Sequence, residues 1–302
     1  MHRTVHASRR FRGFARATAA LGMACAVCVG CAQQDPDYRP RILRIGVTPN
    51  APPESLTRQH GPLATYLQRE TALKTELVIP KDGDELLAMF HDRRVDMAYL
   101  GGYPYLLAHE RDRAVPLAMR DADFRSTSLL IVRAESPVRR LEHLRGKRVG
   151  LLGATSAAGN LMPRYFLSER GMPPEHFFRE IAYADSYDTT ARWIRDGRID
   201  AGFVSREAFA RLLVEGTLTE RDGRVVWETP AYADSVWAVQ PRLAPTVQAD
   251  IQNYLLTLAS DDPESRAILE AAGATHFLPA ADSDYDAIRR SMDALRTAAA
   301  AR

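Results

Sequence analysis

With 302 residues, 46% apolar and 26% charged, the chain has room for one large domain or two medium ones and can bury a substantial core. Its formal charge of +2 is unevenly spread: the first 31 residues hold five arginines and no acids, leaving 35 basic against 38 acidic residues in the rest. No basic patch or nucleic-acid-binding motif remains, which excludes a nucleic-acid partner, and so weak a net charge says little about a small ligand.

The N-terminus has the layout of an export signal, with Arg3, Arg9, Arg10, Arg12 and Arg16 ahead of an apolar run from Ala17 to Gly30. That run is too short for a membrane span. All three cysteines, Cys25, Cys28 and Cys31, fall in this segment, so a disulfide or cysteine metal site is excluded from the folded part. Cys28-Val-Gly-Cys31 resembles a bacterial lipoprotein processing box, with Cys28 where Leu is usual. The resemblance implies a signal over residues 1–31 and a lipid on Cys31 that anchors the exported protein to a membrane. The alternative is an ordinary cleaved signal with a free Cys31. Ser8-Arg9-Arg10 hints at a twin-arginine signal, but the residues that follow fit it poorly.

Residues 32–40 are polar with two prolines, a tether composition. An apolar strand follows at 42–47, then a proline-rich loop and a helix near 62–70. A strand is predicted at 77–80 and helix at 103–111; the run 128–134 reads as a strong strand, closed by Glu135-Ser-Pro137. A new α/β pattern begins at Lys147: a strand at 148–152, a small-residue turn, a helix to about 170 and a strand near 179–183. Strands at 225–228 and 235–239 precede helices at 245–259, 263–272 and 283–300.

One motif occurs twice, 104 residues apart. Asp84 to Leu100 runs parallel to Asp188 to Val204, matching Asp84 with Asp188, Asp92 with Asp196, Arg94 with Arg198 and Asp96 with Asp200. Each copy reads as a capped helix, a polar turn and an apolar strand of the kind found in helix-covered parallel sheets. The fold class expected is therefore α/β with two similar lobes, each a mainly parallel sheet flanked by helices, facing each other across a cleft. Lobe 1 takes residues 41–134 and 229–302, lobe 2 takes 135–228, and the chain crosses between them at two hinges.

Leu151 to Pro163 is a strand, a small-residue turn and a helix start. Amides at a helix N-terminus can hold an anion without any Lys or Arg, and Thr155 and Ser156 add hydroxyls. The turn also reads as a plain N-cap, and it lacks the Gly-Lys-Ser/Thr ending of a nucleotide-hydrolase loop.

Ser136 to Val149, Thr155 to Pro163, Arg94 to Gly101 and Gly197 to Gly202 together are similar to the phosphonate-, phosphite- and phosphate-type substrate-binding proteins of bacterial ABC transporters. The likeness runs over most of residues 41–280. It implies a type II periplasmic-binding-protein fold that closes on a small anionic or zwitterionic solute and delivers it to a transporter permease, as an exported, periplasmic monomer. It places ligand contacts on the loop Thr155, Ser156, Ala157, Ala158 and Gly159, on Tyr99, Gly101 and Tyr103, on Ser126, on Tyr187 and Asp188, and on Ser205 and Glu207. The chain departs from the family pattern in three places. Ala157 and Ala158 replace two hydroxyls, Tyr187 stands where His is frequent, and Gly83 where an aromatic is.

Structural readings compete at several of these positions. Tyr99 also fits a core aromatic, Glu207 an acid at a helix start, and Asp84 and Asp188 fit caps better than ligands. Asp234 lies near a family acid but is displaced by about one position. If Glu207 faces the cleft it would draw a cationic group, with Tyr103 or Tyr187 packing the solute's carbon part. Asp121 with Asp123, and Asp261 with Asp262, read as solvated or capping acids. No nucleophile elbow, Cys/His pair or metal-ligand spacing among His60, His91, His109, His143, His176 and His276 is visible, so neither catalysis nor a cofactor is expected. A ligand-sensing lipoprotein reporting to a membrane receptor is the alternative to transport.

Overall fold

The structure is a computed structural model that describes residues 37–300; the signal segment, Cys31 and most of the tether lie outside the described residues. The chain opens with β1 (Ile42–Val47), α1 (Pro53–Thr71), β2 (Lys74–Val78), α2 (Gly83–His91), β3 (Met97–Leu100), α3 (Gly102–Asp112) and β4 (Val115–Arg120). The one-turn helix α4 (Asp121–Phe124) leads to β5 (Ser128–Arg133) and β6 (Arg148–Leu151). After a π turn at Ala157–Leu161 come α5 (Met162–Glu169), α6 (Pro174–Phe177), β7 (Glu180–Tyr183), α7 (Tyr187–Arg195), β8 (Ala201–Ser205), α8 (Arg206–Val214) and β9 (Gly223–Glu228). The chain finishes with β10 (Val236–Val239), α9 (Pro245–Leu256), α10 (Pro263–Ala272), β11 (Phe277–Pro279) and α11 (Asp286–Ala300).

Two mixed sheets result, ordered β2-β1-β3-β10-β4-β11 and β7-β6-β8-β5-β9. Strands β1, β2 and β3 run parallel, as do β7, β6 and β8. Each sheet then takes, as its first strand after a crossing, one that runs antiparallel to its neighbours. β10 pairs with β3 and β4, and β5 pairs with β8 and β9. The run 128–134, assigned above to the first lobe, therefore belongs with the second sheet. Its residues are buried on both faces, so its pattern marks a central strand without saying which sheet it enters.

The chain crosses between sheets after Arg120 and again after Glu228, and the two crossing segments lie side by side. Ser126 and Tyr232 form an antiparallel bridge, Tyr232 N donates to Ser126 O at 3.0 Å, and Asp234 N donates to Asp123 O at 3.0 Å. The described residues pack as one compact unit.

The repeat is structural and keeps its spacing of 104 throughout. Helices α2 and α7 and strands β3 and β8 occupy matching positions, and Ile45 pairs with Met97 as Val149 pairs with Ala201. Asp96 Oδ2 accepts from Arg44 N at 3.1 Å, and Asp200 Oδ2 accepts from Arg148 N at 2.8 Å. The turn after each helix needs one left-handed residue, Arg93 (φ 58°) in the first copy and Gly197 (φ 70°) in the second. The caps are Asp82 and Ser186, each two residues ahead of the expected Asp84 and Asp188. Both accept from the third helical amide, the spacing an N-cap side chain reaches.

Helix α1 starts at Pro53, well before the expected 62–70. Proline is well tolerated in the first turn, where its missing N–H costs nothing, and Pro62 sits inside the helix. Apolar packing crosses between the halves: Ala157, Ala158, Leu161 and Met162 join the cluster built from Leu86, Phe90 and Ile288 of the first half.

The two equivalent aspartates differ in burial, with side chains 3% exposed for Asp96 and 27% for Asp200. Asp96 also holds Arg242 Nη2 at 2.8 Å. Asp96→Ala is expected to cost about 3 kcal/mol, because it strands a buried amide and a cation. Asp200→Ala is expected to cost about 1 kcal/mol. Urea unfolding midpoints of the two variants test the difference.

Candidate functional site

A cavity of about 1000 Å³ is lined by both halves. It lies where the parallel strands end, the place where open α/β sheets receive ligands. Six helix or turn starts reach it, through Pro52 (α1), Asp82 (α2), Gly101 (α3), Ser156 (π turn), Ser186 (α7) and Ser205 (α8). The Ser156, Ser186 and Ser205 hydroxyl oxygens accept from Gly159 N, Thr189 N and Ala208 N at 3.0–3.1 Å. These caps use the third amide of each start and leave the first two without intrahelical partners. Such amides carry partial positive charge and can hold an anion, on a wall whose charged side chains are Lys81, Arg125, Arg192 and Arg206 with Asp82, Asp123, Asp185, Asp188, Glu207 and Asp234.

The structure brings most of the expected ligand residues to this cavity: Tyr99, Gly101, Ser126, Thr155, Ser156, Ala157, Ala158, Tyr187, Asp188, Ser205 and Glu207 all touch it. Two do not. Tyr103 faces a separate hollow with Arg164, Tyr183 and Arg296, so it cannot pack a solute here. Gly159 is turned onto Leu152, where an added Cβ would lie 2.6 Å from Leu152 Cγ, and its N–H is used by Ser156. Ala157 and Ala158 are 4% and 3% exposed, so their methyl groups serve the apolar contact between halves. A hydroxyl there would be buried among apolar atoms, which accounts for the lost Ser/Thr character.

Tyr99 is chiefly a core residue. It is 4% exposed, its ring lies 4.9 Å from Trp237 and 5.3 Å from His60, and its hydroxyl donates to Asp123 Oδ2 at 2.8 Å. Asp188 holds Arg211 Nη2 at 2.6 Å, so it is neither a cap nor a free acid. Burial pushes the Tyr187 hydroxyl up to about 12, offset in part by the Ser156 and Ser205 side chains, leaving a neutral donor at any physiological pH.

The charged part of the site centres on Arg120, which the sequence reading missed together with β4. Arg120 is 3% exposed. Its Nε and Nη2 donate to the Asp123 oxygens at 2.8 and 2.7 Å, and Nη1 and Nη2 donate to the Glu207 oxygens at 2.9 and 2.8 Å. The fifth N–H goes to Ala272 O at 2.9 Å. Asp123, read above as a solvated or capping acid, is 2% exposed and fully engaged here. The available signal was an arginine closing an apolar run, with acids directly after it. Burial would raise the Glu207 carboxyl, but the Arg120 hydrogen bonds and charge bring it below the usual range. Burial, helped by the Arg120 charge, lowers His60 to about 4, so its ring stays neutral.

Asp234 also lines the cavity and accepts from Gly102 N at 2.9 Å. Burial pushes it up to about 6. A folded value above the unfolded one means the native state binds more protons between about pH 4 and 6, so stability falls as pH rises through that window. Asp234→Asn keeps the acceptor for Gly102 and removes this loss, a gain of up to about 3 kcal/mol at pH 7 relative to pH 4. Thermal melts of both proteins across pH 4 to 7 check it.

The family described as ABC transporter, phosphonate, periplasmic substrate-binding protein matches residues 45–285. A probable phosphite-binding protein of an ABC transporter, PhnD1 from Prochlorococcus marinus, is 22% identical over 85% of this chain and 92% of its own length. The phosphate-import protein PhnD of Mycolicibacterium smegmatis is 24% identical over 84% of this chain and 86% of its own. The solved structure of the Prochlorococcus protein with methylphosphonate superposes with a TM-score of 0.78, covering 85% of this chain and 99% of that one at 21% identity. The chain thus shares the fold of that structure. The chain belongs to the periplasmic substrate-binding proteins of phosphonate ABC transporters.

Proposed function

We propose that the protein captures a small phosphonate-, phosphite- or phosphate-like anion between its two halves and passes it to a transporter permease. The observation that carries this reading is the convergence of six helix or turn starts on one cavity shared by both halves. Backbone dipoles and the hydroxyls of Thr155, Ser156, Tyr187 and Ser205 stabilise an oxyanion there, on a wall that also carries Lys81, Arg125, Arg192 and Arg206. Lobe closure by bending at the two crossings buries the solute, and a lipid on Cys31 keeps the protein beside its permease. Its relatives are transport binding proteins, and the site is read here as one for holding a solute.

The amine-attracting role expected of Glu207 is not part of this proposal, because both its oxygens are occupied by Arg120. Calorimetric titration with methylphosphonate, phosphite, phosphate and methanesulfonate is expected to show micromolar or tighter binding to at least one phosphorus oxyanion, about −8 kcal/mol or better. Tyr187→Phe is expected to weaken that binding about tenfold by removing one hydroxyl donor. Absence of binding to all four rejects the proposal.

A further inference from the structure

We infer that Arg120 is a built-in cation that fills the place of a solute's ammonium at Glu207, so the cavity takes unaminated oxyanions and disfavours aminoalkyl ones. This rests on the capture reading above and narrows its substrate class.

Glu207 stands in the first turn of α8 with 56% of its side chain exposed, and it lines the cavity. An unpaired carboxylate in that place would be the natural seat for a positively charged ligand group. Here the seat is taken. The guanidinium of Arg120 grips both Glu207 oxygens in fork geometry, at 2.9 and 2.8 Å. Arg120 has no freedom to yield, because all five of its N–H donors are committed and its other carboxylate, Asp123, is itself buried. Turning Arg120 away would leave Asp123 as a lone buried charge, a costly state. An ammonium brought to Glu207 would therefore meet a cation that cannot withdraw.

The pair also joins the halves. Arg120 ends β4 of the first sheet and Glu207 begins α8, which follows β8 of the second. The attraction between opposite charges across the cleft is supplied by the protein, and no charge of the solute is called for at Glu207. Arg120 acts on the ligand through Glu207 and is a positioning residue.

The test is a matched pair of solutes, ethylphosphonate and 2-aminoethylphosphonate, titrated calorimetrically into the protein. Ethylphosphonate is expected to bind at least about tenfold more tightly. The double variant Arg120→Met/Asp123→Asn removes one buried charge of each sign and frees Glu207. It is expected to move the ratio of the two affinities at least about tenfold toward the amine. Equal or tighter binding of 2-aminoethylphosphonate by the unmodified protein overturns the inference, whether or not the double variant folds. So does a folded double variant whose ratio does not move. If ethylphosphonate, 2-aminoethylphosphonate, phosphite and phosphate all fail to bind, the capture reading falls and this inference with it.

Discussion

A single buried guanidinium fixes the relation between the two halves at the site. Arg120 is almost without solvent, yet it carries a charge that must be compensated, and the compensation comes from both sides of the cleft. Asp123 lies on the same crossing segment and is a local partner. Glu207 arrives from the opposite half, so the full set of hydrogen bonds exists only when the halves are together. Desolvation makes an unpaired buried charge expensive, and that cost orders everything nearby. Tyr99 turns its hydroxyl to Asp123, the Tyr99 ring lies 5.3 Å beneath the guanidinium, and the C-terminal carbonyl of α10 takes the remaining donor.

Around this centre the cavity wall is built from repetition. Two copies of one strand–helix–strand unit face each other, and each unit brings the starts of its helices to the strand ends. The amides presented by these starts are thus a property of the backbone, which side-chain substitution leaves intact. That is why Ala157 and Ala158 can give up hydroxyls and serve packing between the halves, while Ser156 remains as the cap of the same turn.

Much of this was legible in the sequence. The 104-residue repeat marked the α2–β3 and α7–β8 units, and the small-residue turn at Thr155–Ala158 marked part of the cavity wall. What was not legible depends on distant pairing. The position of β5 in the second sheet is set by partners at 201–205 and 223–228, and nothing within residues 128–133 encodes that choice. Arg120 and Asp123 look like surface charges until β4 and the crossing segment are placed, because burial of a charge is visible only through its partner. The fate of Tyr103 follows from side-chain direction at a helix start, and that of Gly159 from its close packing on Leu152, both of which a spacing argument leaves open.

The two crossing segments carry a mechanical consequence. A lone flexible strand of chain would let two bodies swivel, slide and twist about one another. Here two strands run in opposite directions and are stitched together by the Ser126–Tyr232 bridge and the Asp234–Asp123 bond. A stitched pair is stiff against torsion and soft against flexing, like a door hung on two pins. Any swing of the halves would therefore have to flex both segments together.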